Sequence, residues 1–225
     1  MKSFPFDIVG FDLDGTLLDT HLDLAAAVNH ALGLAGRAAV PADSVRALIG
    51  GGSAKMLERA LALTGGMVPE FAELQQALIG FYQEHIAVHT RLFPGGEAML
   101  DGLAARGVKL AVVTNKLEHL AVRVIAELGL AERFFAVIGG DTLGPGRGKP
   151  APDLLLEMVR RSGALENGGR SAYVGDTSFD TLAARAAGMP CVVASFGFND
   201  LPPDELGADA VIDHFDALID TLSAL

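Results

Sequence analysis

The sequence predicts an α/β protein, a doubly wound parallel sheet with an all-helical cap inserted after its first strand. Three observations carry that prediction. Short apolar segments alternate with helical patterns over most of the 225 residues, as in strands buried on both faces by helices. The alternation stops between residues 20 and 92, where amphipathic patterns follow one another without a strand. Paired acids, a hydroxyl and a loop lysine fall just after the apolar segments, where open α/β sheets hold ligands.

Taken in order, the strands are expected at Ile8–Phe11, Lys109–Thr114, Ala136–Gly139, Ala172–Gly175, Cys191–Ala194 and Ala210–Ile212. Helical spacing runs through Leu120, Val124 and Leu128, and again from Thr181 to Ala187, stopping at Gly188. Strands and helices in this order read as a doubly wound, Rossmann-like sheet. Within the insert, Thr20 to Asp23 resembles a helix N-cap, with Leu24, Val28 and Leu32 following at helical spacing. Val45–Ile49 is a short amphipathic piece closed by Gly50, Gly51 and Gly52. Ser53 is expected to cap a helix through Leu63, and Pro69–His89 carries a long amphipathic helix with Phe71, Leu74, Leu78, Phe81, Tyr82 and Ile86. The expected division is a core of residues 1–19 and 93–225 with a cap of residues 20–92. The tethers lie near Gly15–Thr20 and Thr90–Gly95.

Composition narrows the function. Seventeen Lys and Arg against 28 Asp and Glu give a net charge of −11. That argues against non-specific binding to nucleic acid or acidic membranes and still allows a locally positive site for a small anion. No apolar run approaches the ~18 residues of a membrane span. Lys2 is followed too soon by Asp7 and Asp12 for a signal peptide. The one cysteine, Cys191, excludes an internal disulfide and reads as an inert core thiol. A cytoplasmic setting is expected; the choice between monomer and homodimer stays open.

Four motifs sit at four strand ends. The first strand runs into Asp12-Leu13-Asp14-Gly15-Thr16. Two carboxylates so close need a compensating charge, and Mg²⁺ supplies one, being hard and oxygen-seeking. Gly15 frees the backbone to turn and offer N–H groups to an anion. Thr114 and Asn115 place a hydroxyl and amides where a phosphate or a helix cap would use them. Lys149, between Gly148 and Pro150, has a defined position from which to neutralise carboxylate and phosphate together. Asp176 and Asp180 are four residues apart, about one helical turn, so both can face one point; Asp176 also suits a cap. Each motif alone has a structural reading, but a chance set of caps would not gather these groups on one edge.

Together, DLDGT at 12–16, TN at 114–115, GKP at 148–150 and GDTSFD at 175–180 resemble the haloacid dehalogenase superfamily of phosphatases with an α-helical cap. FDLDGTLLDT, Gly50–Gly52, LFPG at 92–95, VVTNK and AAGMP are most similar to bacterial phosphoglycolate phosphatases. The resemblance implies Asp12 as nucleophile and Asp14 as acid and base. It implies a Mg²⁺ held by Asp12, the Asp14 carbonyl and Asp176, supported by Asp180. Thr114 and Asn115 would bind phosphate oxygens, Lys149 would bridge Asp12 and phosphate, and Gly15, Gly51 and Gly52 would approach the substrate. The implied substrate is a small phosphorylated metabolite, phosphoglycolate first, with a sugar phosphate, nucleotide or amino-sugar phosphate as alternatives. A phosphomutase is disfavoured because Gly50–Ser53 offers no basic residue for a second phosphate. A non-catalytic phosphate-binding module has no need of Asp14. Arg46, Lys55 and Arg59 read as surface residues, and His85 and His89, at i and i+4, as a solvated pair.

Overall fold

The computed structural model describes residues 4–163 and 170–225. The chain runs β1 (Ile8–Phe11), β2 (Leu18–Asp19), α1 (His21–Leu34), α2 (Ala42–Val45), α3 (Gly52–Thr64), α4 (Phe71–Glu84) and β3 (Arg91–Leu92). It continues through α5 (Gly96–Ala104), β4 (Lys109–Val113), α6 (Glu118–Glu127), β5 (Ala136–Ile138) and α7 (Asp153–Ser162). It closes with β6 (Ser171–Gly175), α8 (Ser178–Ala187), β7 (Cys191–Ala194), β8 (Ala210–Ile212) and α9 (Leu218–Ala224).

Six strands form one sheet in the order β5-β4-β1-β6-β7-β8, every neighbouring pair parallel. The period of two along each strand feeds two cores. Val9, Phe11, Leu110, Val112, Ala172 and Val174 face one side, with α5, α6 and α9. Ile8, Ala111, Val113 and Tyr173 face the other, with α7 and α8. Gly10 admits α7 closely, since a Cβ there would stand 2.5 Å from Met158 Sδ. The chain builds β4 and β5 to one side of β1 and returns to build β6, β7 and β8 on the other. That reversal opens a crevice at the carboxyl ends of β1 and β6, where such sheets bind ligands.

Helices α1–α4 lie between β2 and β3, with α1 packed on α2, α3 and α4. Their buried Leu24, Val28, Leu57 and Leu78 join the core of the α5–α6 face. The structure corrects several expectations here. The segment is not strand-free at its margin: Leu18 pairs with Leu92 and Asp19 with Arg91, so the two tethers form one antiparallel ribbon. Two-residue strands carry no readable period, and their pairing is long-range. Asp23 accepts from the His89 and Thr90 amides (3.0 and 2.9 Å) and from Thr90 Oγ1 (2.7 Å), fastening the second tether to α1.

Thr20 stands at the N-cap position of α1 but makes no side-chain cap bond. Ser53 lies inside α3, whose N-cap is Gly51 at φ +78°; Ser53 Oγ instead accepts from Gln75 Nε2 on α4. Helix α4 ends at Glu84, so His85 and His89 do not share a helix face. His85 stacks on Phe81, which also stacks on His30. Two of the three expected surface cations are half-buried. Arg59 donates to the carbonyls of Leu48, Ile49 and Gly50, pinning the glycine loop to α3, and Arg46 reaches Asp19 Oδ2 at 3.3 Å. Lys55 is exposed as expected. Among the described residues, no helix is long and apolar enough to cross a membrane.

Candidate active site

Asp12 follows β1 directly, and its amide still bonds the Val174 carbonyl of β6 (2.9 Å). The side chain therefore leaves the sheet at its central carboxyl edge. The turn at Gly15 (φ +92°) comes so near Asp176 that a Cβ would meet Asp176 Oδ2 at 2.3 Å. Thr16 Oγ1 then donates to Asp176 Oδ1 (2.7 Å), and the Phe198 amide to Oδ2 (2.7 Å). The helix after β6 is capped by Thr177 and Asp180 in a reciprocal capping box, not by Asp176. Asp180 Oδ2 accepts from the amides of Asp176 and Thr177 and from Thr177 Oγ1.

Lys149 joins these acids. Its Nζ stands 2.8 Å from Asp12 Oδ1 and 2.6 Å from Asp180 Oδ1, and it donates to Tyr173 Oη (2.8 Å) and the Val113 carbonyl (3.1 Å). Oxygens of Asp12, Asp176 and Asp180 lie within 4.8 Å of one another. Three carboxylates and one ammonium leave excess negative charge in a buried place, and the acids respond. Burial pushes Asp12 up to about 6, against the pull of Lys149. Burial, then Asp180 and Asp12, raise Asp176 well above the usual carboxylate range. Burial opposes the charge of Asp180 too, but Lys149 and the Thr177 hydrogen bonds hold it low. An all-oxygen donor set with surplus charge fits a hard divalent cation.

Above this floor lies a cavity of about 60 Å³ that brings together Asp12, Asp14, Thr114, Asn115 and Lys149 with Gly51 and Gly52 of the insert. Gly50, Gly51 and Gly52 all have positive φ. A Cβ on Gly51 would come 3.2 Å from Phe179 Cζ, and one on Gly52 3.3 Å from the Asn115 carbonyl. The loop therefore rests directly on the sheet edge. Thr114 does not cap α6, whose N-cap is Leu117; its Oγ1 accepts from the Lys116 amide (3.2 Å). Asn115 Nδ2 holds the Lys149 loop through the Lys149 carbonyl (2.9 Å).

Asp14 stands apart from the three clustered acids: its carboxylate accepts from Lys116 Nζ at 2.8 and 3.0 Å. Sequence reasoning gave Lys116 no role. A lysine placed two residues beyond a strand end, ahead of an apolar helix, was the available signal. Burial works against its charge, but Asp14 and Tyr82 raise its pKa, so it stays an ammonium. It lies 4.3 Å from the centroid of the Tyr82 ring, on α4. By period Tyr82 belongs to the apolar face of its helix. Tyr173 and Phe198 carry no signal in the sequence, since only the fold brings them to Lys149 and Asp176.

This geometry has relatives. Residues 9–194 match the model of the haloacid dehalogenase-like hydrolase family. The chain is 40% identical over 214 residues to the phosphoglycolate phosphatase of Agrobacterium fabrum, covering 94% of this chain and 90% of that protein. It is 38% identical to the phosphoglycolate phosphatase of Caulobacter vibrioides, covering 92% and 86%. The crystal structure of a predicted phosphoglycolate phosphatase from Haemophilus somnus superposes with a TM-score of 0.87 at 28% identity, covering 96% and 98%. The chain belongs to the haloacid dehalogenase-like hydrolase family and is an enzyme, a phosphoric monoester hydrolase.

Proposed function

We propose that this family member hydrolyses a small phosphomonoester, phosphoglycolate, with Mg²⁺ and through an aspartyl-phosphate on Asp12. The observation that carries the reading is the convergence of Asp12, Asp176, Asp180 and Lys149 beneath a small cavity that Asp14 also lines. In the first step an Asp12 oxygen attacks phosphorus and the ester bond breaks. Asp14 gives its proton to the leaving alkoxide. In the second step Asp14 takes a proton from the water that attacks the aspartyl-phosphate, releasing inorganic phosphate and restoring both acids.

The Mg²⁺ would be held by Asp12, Asp176 and the Asp14 carbonyl. When bound, it supplies positive charge to the nucleophile and the transferring phosphoryl group. Asp180 stands behind these ligands, with both oxygens already accepting hydrogen bonds, and supports the cation by fixing Lys149 and the Asp176–Thr177 turn. Lys149 neutralises Asp12 and draws in the phosphate, while Thr114 and the Asn115 amide bind its oxygens. Residues 20–92 act as a cap over the core of residues 1–19 and 93–225. Gly51 and Gly52 close on the substrate beside Gly15, and closure excludes water. The cavity suits a small soluble metabolite, and a cytoplasmic setting fits the single unpaired cysteine.

The test is turnover of phosphoglycolate against a panel of phosphorylated metabolites, with Mg²⁺ and with EDTA. Phosphoglycolate is expected to have the highest kcat/KM and to lose turnover in chelator. Full activity in EDTA would refute the metal role.

A further inference from the structure

Two polar groups in the cavity have no part in the chemistry at phosphorus. Lys116 is a buried ammonium that lines the cavity beside Asp14. Tyr82 Oη, from α4, is buried beside Lys116 without a well-formed hydrogen bond, and Tyr82 lines the same cavity. Buried hydroxyls are ordinarily paired, so one without a well-formed bond at a cavity wall points to a ligand that completes it. The rest of the cavity is largely apolar: Leu24, Met56, Leu78 and Ile79 line it with Tyr82. Lys116 itself is held rigidly, its amide bonded to Thr114 Oγ1 and its carbonyl accepting from the Gly140 amide (2.8 Å).

We propose that Lys116 and the Tyr82 hydroxyl form a subsite for a carboxylate carried by the leaving group of the phosphomonoester. The assignment rests on the reading of Asp14 as the acid beside the ester oxygen. Lys116 is one hydrogen bond further from that oxygen than Asp14 is. A carboxylate one methylene from the ester oxygen spans the same step and reaches Nζ. Among the described residues, the only other cation lining the cavity is Lys149, shared by two carboxylates, Asp12 and Asp180, where Lys116 has one, Asp14. A second anionic group on the substrate therefore meets Lys116. A point charge with one neighbouring hydroxyl suits a monoanionic carboxylate. A second phosphate, a dianion, exceeds the charge of one lysine already paired with Asp14, and among the described residues no arginine lines the cavity to add to it.

The test measures binding with ligands that cannot react. In 3-phosphonopropionate a methylene replaces the ester oxygen of the carboxylate-bearing substrate; propylphosphonate lacks the carboxylate. Titration calorimetry with Mg²⁺ present compares both on the wild type, Lys116→Met and Tyr82→Phe. The wild type is expected to prefer the carboxylate ligand by roughly 100-fold, the worth of a charged hydrogen bond in a dry site. Lys116→Met is expected to bring the two within about threefold, and Tyr82→Phe to cut the preference by about fivefold. Equal binding of both ligands by the wild type overturns the subsite, and so does a full preference kept in folded Lys116→Met. Tyr82→Phe keeps the ring, so it carries the test if Lys116→Met does not fold; a full preference retained there removes the hydroxyl from the subsite. The hydrolytic reading fails separately. No turnover of any phosphomonoester, with the carboxylate preference intact, breaks the reaction and supports the subsite. Turnover of phosphoglycolate and ethyl phosphate at equal kcat/KM keeps the reaction and breaks the subsite.

Discussion

The floor of the cavity and its roof treat polar groups in opposite ways. On the floor Asp180 accepts from Lys149, two amides and the Thr177 hydroxyl, and Asp176 from Thr16 and the Phe198 amide. The roof presents Leu78, Ile79 and Met56, a glycine loop and one hydroxyl without a well-formed hydrogen bond. Groups held by several fixed partners cost no reorganisation when charge moves during reaction, so the floor suits electrostatic work. An apolar wall excludes water and discriminates by shape, so the roof suits selection. The proposed chemistry thus falls on the core and most of the proposed selection on the insert, with Lys116 of the core on the selecting side.

The largest test of that separation removes the proposed nucleophile. Asp12→Asn keeps shape and removes a carboxylate from a crowded cluster. Turnover of phosphoglycolate is expected to fall by at least about 10⁴-fold, in keeping with the loss of a covalent nucleophile. Thermal denaturation should show a folded protein no less stable than wild type; a folded variant with near-normal turnover would sink the covalent step.

Stability should separate the two regions next. Asp180→Ala takes one of two carboxylates from the buried Lys149 ammonium and strands several donors, a loss of about 3–5 kcal/mol for a broken buried ion pair. At this chain length the melting temperature should drop by roughly 10 °C. Tyr82→Phe removes a hydroxyl without a well-formed hydrogen bond and should leave stability within about 1 kcal/mol of wild type. Similar melting shifts for the two variants would break the contrast.

The charge on the floor makes a pH prediction. In the metal-free fold Asp12 titrates near 6 and Asp176 well above its ordinary range. Each holds its proton more tightly folded than unfolded. Their contribution to stability is therefore full below about pH 4 and is lost as pH rises through the folded values. Mg²⁺ favours the ionised forms and must displace protons at low pH. The gain in melting temperature on adding Mg²⁺ to chelated protein should be small at pH 5 and reach several degrees at pH 7.5. A larger gain at pH 5 would contradict the placement of the cation on these acids.

The smallest expected effect concerns the roof loop. Gly51→Leu puts a side chain at φ +78° against Phe179. The kcat/KM for phosphoglycolate is expected to fall about tenfold more than that for acetyl phosphate, the scale of a misfitted pocket contact. An unchanged ratio in the folded variant would take the loop out of selection.

Period and spacing made much of the molecule legible in the sequence. Strands buried on both faces read as unbroken apolar runs, and α1, α3 and α4 as stripes. The acids and Lys149 were visible because an open sheet delivers every strand end to one edge, whatever lies between. The β2–β3 ribbon was not legible, because two residues make no period and its partners are far apart in the chain. Tyr82 sits in register with the apolar stripe of α4, and only packing over Lys116 separates it from Leu78. The sequence by itself determined which groups share the carboxyl edge of the sheet, since strand polarity is a local property that topology preserves. Tertiary structure alone decided which charge meets which: that Asp14 answers to Lys116, that Asp180 holds Lys149, and that the Tyr82 hydroxyl is buried beside Lys116. Pairing in a dry interior depends on distances of a few ångströms between elements, and no local period encodes them.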